Sequence, residues 1–149
     1  MDKPPPTNVA SRSRRTIRCG AAIVELALVV PLLATVVVGV CEVGQVMRVH
    51  AILTDAARKG CAAGCQVGGS NASITAEVQD VLAACGLPTD ATVVVTVNDE
   101  AGTAAAATRN DKVSVRVSIP TGTATWTGSF VFFAGASLRS EEVVMLKQG

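Results

Sequence analysis

Gly20-Ala21-Ala22-Ile23-Val24-Glu25 opens an apolar run that continues through Leu26-Ala27-Leu28-Val29-Val30-Pro31 to Cys41. The reading of this stretch decides the fold. Glu25 is the only charge from Ala21 to Cys41, and Thr35 is the only strongly polar side chain from Leu26 to Cys41. About 20 apolar residues cross the hydrocarbon core of a bilayer as a helix, so residues 21–41 are expected to span a membrane. A carboxylate is an expensive choice there. Near the bilayer centre an acidic residue costs roughly 2.5–3.5 kcal/mol on insertion scales. Glu25 lies near the end of the run, where the cost is smaller, but it still calls for a compensating role.

The flanks set an orientation. Residues 1–20 hold five Lys/Arg and one Asp, whereas residues 21–149 hold eight Lys/Arg and eleven Asp/Glu, so the net formal charge of +1 conceals a basic end and an acidic remainder. A basic flank ahead of an apolar span is the positive-inside pattern for a cytoplasmic N-terminus. Arg12, Arg14, Arg15 and Arg18 stand directly before that span, so they are read as topology signals and no nucleic-acid partner is expected. A cleaved secretory signal fits poorly. Its apolar region runs ~7–15 residues and ends in a small-x-small site, whereas here the run is longer and carries Glu25. A lipoprotein signal wants a small residue before the cysteine, and Val40 precedes Cys41.

Pro31 interrupts the amide ladder, which costs ~3 kcal/mol in a helix in water. Membrane helices accept such a residue because neighbouring helices re-satisfy the freed carbonyl. Gly39 and Gly44 allow close approach of a partner helix, or reflect ordinary membrane-helix glycine usage. Beyond Cys41 the pattern becomes amphipathic, with Val43, Val46, Met47, Ile52 and Leu53 interleaved with Glu42, Gln45, Arg48, Asp55 and Arg58. The absence of breakers before Gly60 predicts one helix from about Ala21 to Gln66. At 1.5 Å per residue it would be roughly 70 Å long, more than a bilayer is thick, so its second half must emerge and pack elsewhere.

Several of these residues together resemble a known family. Val24-Glu25-Leu26-Ala27-Leu28-Val29-Val30-Pro31, then Gly39, Glu42-Val43-Gly44 and Ala56-Ala57-Arg58-Lys59-Gly60, look like the TadE-like minor pilins of the tight-adherence (Flp-type) pilus system. The resemblance is specific over Gly20–Gly60 and topological beyond it. It implies a prepilin, with a basic leader at 1–20 removed by a prepilin peptidase between Gly20 and Ala21. The freed amine of Ala21 would then lie near a Glu25 carboxylate, in its own chain or a neighbour's, offsetting the burial of Glu25 and setting subunit register. Glu25 and Pro31 are thereby the expected helix-assembly positions. Cys19 departs from the basic or polar residues common before the cleavage glycine. The implied partners are the peptidase, other pilin subunits, the tight-adherence assembly proteins and the inner membrane, in a system of adhesion or secretion.

The remainder reads as a small head. The expected divisions are 21–41 for the membrane-spanning part of the helix, 42–67 for its extramembrane continuation and 68–149 for the head. Gly68-Gly69-Ser70-Asn71 signals a loop, and Ser73 is the expected N-cap of a helix over Ile74–Cys85. Ile74, Val78, Val81, Leu82 and Cys85 form its apolar stripe, closed by Gly86 and Pro88. Thr92–Val97 and Val113–Ile119 read as strands, the latter with Val113, Val115, Val117 and Ile119 on one face. The connection Asn98–Lys112 is too long for a tight hairpin turn. Trp126, Phe130, Phe132 and Phe133 form an expected apolar patch, and Glu142–Leu146 a last strand. The class is α+β: a long N-terminal helix with a membrane-spanning first half, a short helix and a small antiparallel sheet, pilin-like in order. Hydrophobic residues make up 49% of the chain but aromatics only 3%. A core of Ala and Val buries little area per side chain, so the head is expected to be thin.

Cysteine chemistry is confined to the exported side, where disulfides persist. Cys61 and Cys65 share a helix face in poor geometry for bridging each other. A bridge from Cys85 to Cys65, or alternatively to Cys61, would clip the short helix to the long one, at a gain of about 3 kcal/mol in the chain-entropy model. No metal set, cofactor or small-molecule substrate is indicated. His50 is the only histidine and supports no catalytic triad, so no enzyme is expected. The alternative to a processed pilin is an uncleaved single-pass anchor presenting a binding or scaffold domain in the bacterial envelope, with its C-terminal part outside the cytoplasm.

Overall fold

Ala10–Cys65 is one α-helix, α1, with Pro31 inside it. A computed structural model describes residues 10–120 and 137–148, with side chains for 20–120 and 137–148. Trp126, Phe130, Phe132 and Phe133, the expected aromatic patch, lie outside the described residues. The helix begins about a turn after Pro4-Pro5-Pro6 rather than near Ala21, because no Gly or Pro intervenes between Ala10 and Cys19 to stop it. The chain divides into two units, Met1–Cys41 and Glu42–Gly149. In the first, the helix continues through Pro31, and the Thr35 hydroxyl donates to the Pro31 carbonyl at 2.9 Å.

The second unit holds the core. α2 spans Asn71–Ala84. It starts three residues earlier than the sequence reading, because Ser70 is the N-cap and Ser73 the third helical residue of a capping box. The Ser73 amide donates to Ser70 Oγ, and the Ser70 amide donates to Ser73 Oγ at 2.9 Å. Its far end is a Schellman closure. Gly86 adopts φ +72°, its amide donates to Ala83 O, and the Leu87 amide donates to Leu82 O at 2.9 Å.

The sheet is antiparallel throughout, with β1 (Thr92–Val97), β2 (Glu100–Ala101), β3 (Lys112–Pro120), β4 (Ser137–Arg139) and β5 (Val143–Leu146). The order is β2-β1-β3-β4, with β5 also beside β3. β1 and β2 form a hairpin through Asn98 and Asp99, both at positive φ. That is the mirror-image turn whose twist suits two strands joined by two residues. A tight hairpin therefore sits inside what reads in sequence as one long connection. β4 and β5 lie along the same edge of β3. Ser118 pairs with Arg139 and Val115 with Val143, so Arg116 and Val117 face Ser140, Glu141 and Glu142. One extra residue on the edge strand is a β-bulge. The buried Ser140 fills it: its amide donates to Val117 O at 2.8 Å, and its hydroxyl accepts from the Val117 amide at 2.9 Å.

Val113, Val115, Val117 and Ile119 of β3 are buried as the alternation requires. They form one core with Leu53, Ala56, Ala57 and Cys61 of α1 and with Ile74, Val78 and Leu82 of α2. Lys112 and Arg116, on the opposite face of β3, are exposed. Cys85 is exposed as well. It is the C-cap of α2 rather than a helical residue, so the apolar stripe ends at Leu82.

Candidate functional site

Between Gly20 and Cys41, α1 presents exposed apolar side chains. Ile23, Leu26, Leu28, Leu32, Leu33, Val36 and Val37 are all exposed, Leu28 by 73%. The helical stretch Gly20–Cys65 contains a window apolar enough to cross a membrane, and none of that window is buried in the protein. A soluble protein rarely leaves so large an apolar surface uncovered, so this one fits burial in a bilayer or among other helices. Gly20, Ala21, Glu25 and Pro31 all lie on this exposed helix. A side-chain carbon built at Gly20 meets nothing within 4 Å. The fold therefore places no steric demand for glycine there.

The other half of α1 is built for close packing. Ala56, Ala57, Gly60, Cys61 and Gly64 turn small side chains to the core. A carbon added at Gly60 would lie 2.8 Å from Val78 Cγ2 and 3.2 Å from Ile74 O. The Ala-Ala-Arg-x-Gly segment thus has a physical reason: α2 crosses where only hydrogen fits. The Cys61 thiol donates to Val113 O at 3.3 Å. Burial pushes its pKa up to about 12, reinforced by the neighbouring Cys65 thiol. Burial also raises Cys65, while the nearby Lys147 ammonium pulls the other way. Cys61, Cys65 and Cys85 are free thiols here, the first two buried and Cys85 exposed.

Lys147 closes the end of α1, a feature that sequence reading missed. It is only 7% exposed. Its ammonium donates to Gly64 O at 2.8 Å, Gln66 O at 3.0 Å and Gly69 O at 3.4 Å, and the Gln148 amide donates to Cys65 O at 2.9 Å. The last carbonyls of a helix have no partners within it and carry partial negative charge. A buried cation supplied by the chain end following β5 satisfies both needs. Elsewhere, the Asp111 carboxylate accepts from Asn98 Nδ2 and from the Thr108 amide and hydroxyl, which hold its pKa below the usual range. Asn71, in an Asn-x-Ser sequence, accepts from the Ala104 amide at 2.8 Å and donates to Gly102 O. Its amide is committed to the fold. His50 is exposed on α1. Among the described residues no group of three or more His, Cys, Asp or Glu side chains gathers for a metal.

An exposed apolar N-terminal helix and a small α+β unit together fit a protein anchored in a membrane by that helix. Residues 20–61 match the model of the TadE-like protein family, which is associated with the tight-adherence pilus. Neither a curated protein nor a solved structure matches the chain. The matched stretch, less than a third of the chain, joins the exposed apolar face to the tightly packed Ala56–Gly60 turn. It therefore covers both the candidate assembly surface and the start of the packing against α2.

Proposed function

We propose that this chain is a structural minor pilin or pseudopilin of a tight-adherence system, and not an enzyme. In this reading it is held in the inner membrane with its N-terminus in the cytoplasm. A prepilin peptidase cuts after Gly20, and the freed helix packs into a pilus or secretion fibre with other pilin subunits. The observation that carries the reading is the conjunction of Gly20, Glu25 and an exposed apolar helix surface. Glu25 is exposed on that face, and assembly into a helical bundle would bury it. The new amine at Ala21 is the cation that would then offset its charge, and helix packing would re-satisfy the backbone freed at Pro31.

Glu25→Ala tests the pairing directly. It should leave cleavage at Gly20 largely intact and reduce incorporation into fibres. Wild-type incorporation of this variant would refute the amine–carboxylate pairing. A bulky residue at position 20 should block cleavage without disturbing the fold, since the surroundings of Gly20 are open.

A further inference from the structure

Beside the Gly68-Gly69 turn lies a recess of about 250 Å³ in the Glu42–Gly149 unit. Its walls include Val67, Ala105, Ala107, Arg109, Lys147 and Gln148. The unit carries eight Lys/Arg and ten Asp/Glu, yet among the described residues the recess is lined by two cations and no acidic side chain. Lys147 is buried and donates only to backbone carbonyls, and among the described residues no carboxylate lies within ion-pair distance of it. Helix-end carbonyls carry only a fraction of a unit charge, so Lys147 leaves a net positive field in the wall of the recess. Arg109 is exposed and makes no ion pair among the described residues. Its planar fork of donors matches a carboxylate in two-point geometry. Val67, Ala105 and Ala107 add short apolar side chains to the lining, and Val67 is 78% exposed.

We infer that this recess docks an acidic side chain of a neighbouring exported subunit, in a contact between extramembrane units. The carboxylate is held by the Arg109 guanidinium in the field of the buried Lys147 ammonium, and small apolar residues beside it lie on Val67, Ala105 and Ala107. The inference rests on the pilin reading, because subunits anchored in one bundle bring their extramembrane units side by side. Lys147 thereby has two roles: it caps α1 from within and draws an acidic partner from without.

The test uses the full chain in its own membrane, with a photoreactive residue replacing Val67 and a control probe replacing the exposed Gln79. The expected result is a crosslink from position 67 and none from 79. The attached peptide should carry Asp or Glu within a few residues of the attachment point. Arg109→Glu should lower the yield at least tenfold while the Glu42–Gly149 unit keeps its protease resistance. Arg109→Lys should retain most of the yield, and reversing the partner's acid to Lys should restore the crosslink to Arg109→Glu. An unchanged yield in Arg109→Glu, an attached peptide without an acid, or no crosslink from position 67 would overturn the inference. So would protection of the recess by acetate or inorganic phosphate alone with no subunit attached. Cleavage after Gly20, read in the same cells, separates the two claims. A missing contact with normal cleavage refutes the docking, and absent cleavage refutes the pilin reading.

Discussion

Gly60→Ala sets two effects of opposite sign against each other. In an exposed helix interior, Ala is better than Gly by about 1 kcal/mol. At Gly60 the added carbon would stand 2.8 Å from Val78 Cγ2 and 3.2 Å from both Ile74 Cγ2 and Ile74 O. The Val78 methyl has little room to turn aside, because Val78 is fully buried, and Ile74 O belongs to the backbone of α2. Overpacking of this kind costs typically 1–3 kcal/mol. The net expectation is a loss of up to about 2 kcal/mol. Gly44→Ala, on the same helix but with nothing within 4 Å of the added carbon, keeps the propensity gain alone and should be neutral or stabilising by up to about 1 kcal/mol. The assay is urea-dependent protease susceptibility of the Glu42–Gly149 unit in the full-length protein in detergent. Opposite signs at the two glycines support the packing argument. Stabilisation by Gly60→Ala equal to that by Gly44→Ala would refute the claim that α2 requires hydrogen at this position.

Lys147→Met should destabilise the same unit by about 1.5–3 kcal/mol, the range for one hydrogen bond to a charged group. Three times that is not expected, because removing the ammonium also removes its own desolvation cost. The loss should appear as faster amide exchange around Gly64–Gly69. Ser140→Ala leaves the Val117 amide without its acceptor and should cost about 1–3 kcal/mol, read by urea midpoint, with exchange rising first at Val117. Burial raises the Cys61 pKa from 9.0 to about 12, so the folded state holds this proton more tightly than the unfolded chain. The stability that this group contributes is complete below about pH 9 and is lost as pH rises toward about 12. A urea midpoint that stays flat across that window in wild type, or falls equally in Cys61→Ala, would contradict the assignment. At neutral pH a maleimide should label Cys85 in the folded protein and reach Cys61 and Cys65 only on unfolding.

Much of the architecture was legible because it rests on short-range periodicity. Val113, Val115, Val117 and Ile119 alternate so strictly that their common buried face could be read directly, and Ile74, Val78, Val81 and Leu82 do the same for α2. The apolar run after Gly20 exceeded anything a small core could hide. What sequence reading missed was partly a local choice between neighbouring residues and partly closure between distant ones. Ser73 looked like a cap, but the hydroxyl of Ser70 takes that position and Ser73 reciprocates. Asn98 and Asp99 both tolerate positive φ, a signal for the β1–β2 turn that the polar, Ala-rich surroundings masked. The bulge at Ser140–Glu142 shows only when the two pairing registers on β3 are compared. Lys147 follows a strand near the end of the chain, where a lysine is ordinarily solvated. Nothing local says that it meets the end of a helix some eighty residues earlier. Cys85 completes the α2 stripe by spacing, but the helix ends one residue before it.

The central claim is that Gly20 marks the end of a removable leader and Ala21 the start of a helix that assembles with others. Its most direct test is the intact mass and N-terminal sequence of the protein purified from cells with and without a cognate prepilin peptidase. The account predicts loss of residues 1–20, with Ala21 at the N-terminus, only when the peptidase is present. An uncut N-terminus in its presence would contradict the account and make the chain an ordinary single-pass anchor, in which the spacing of Gly20 and Glu25 has no function.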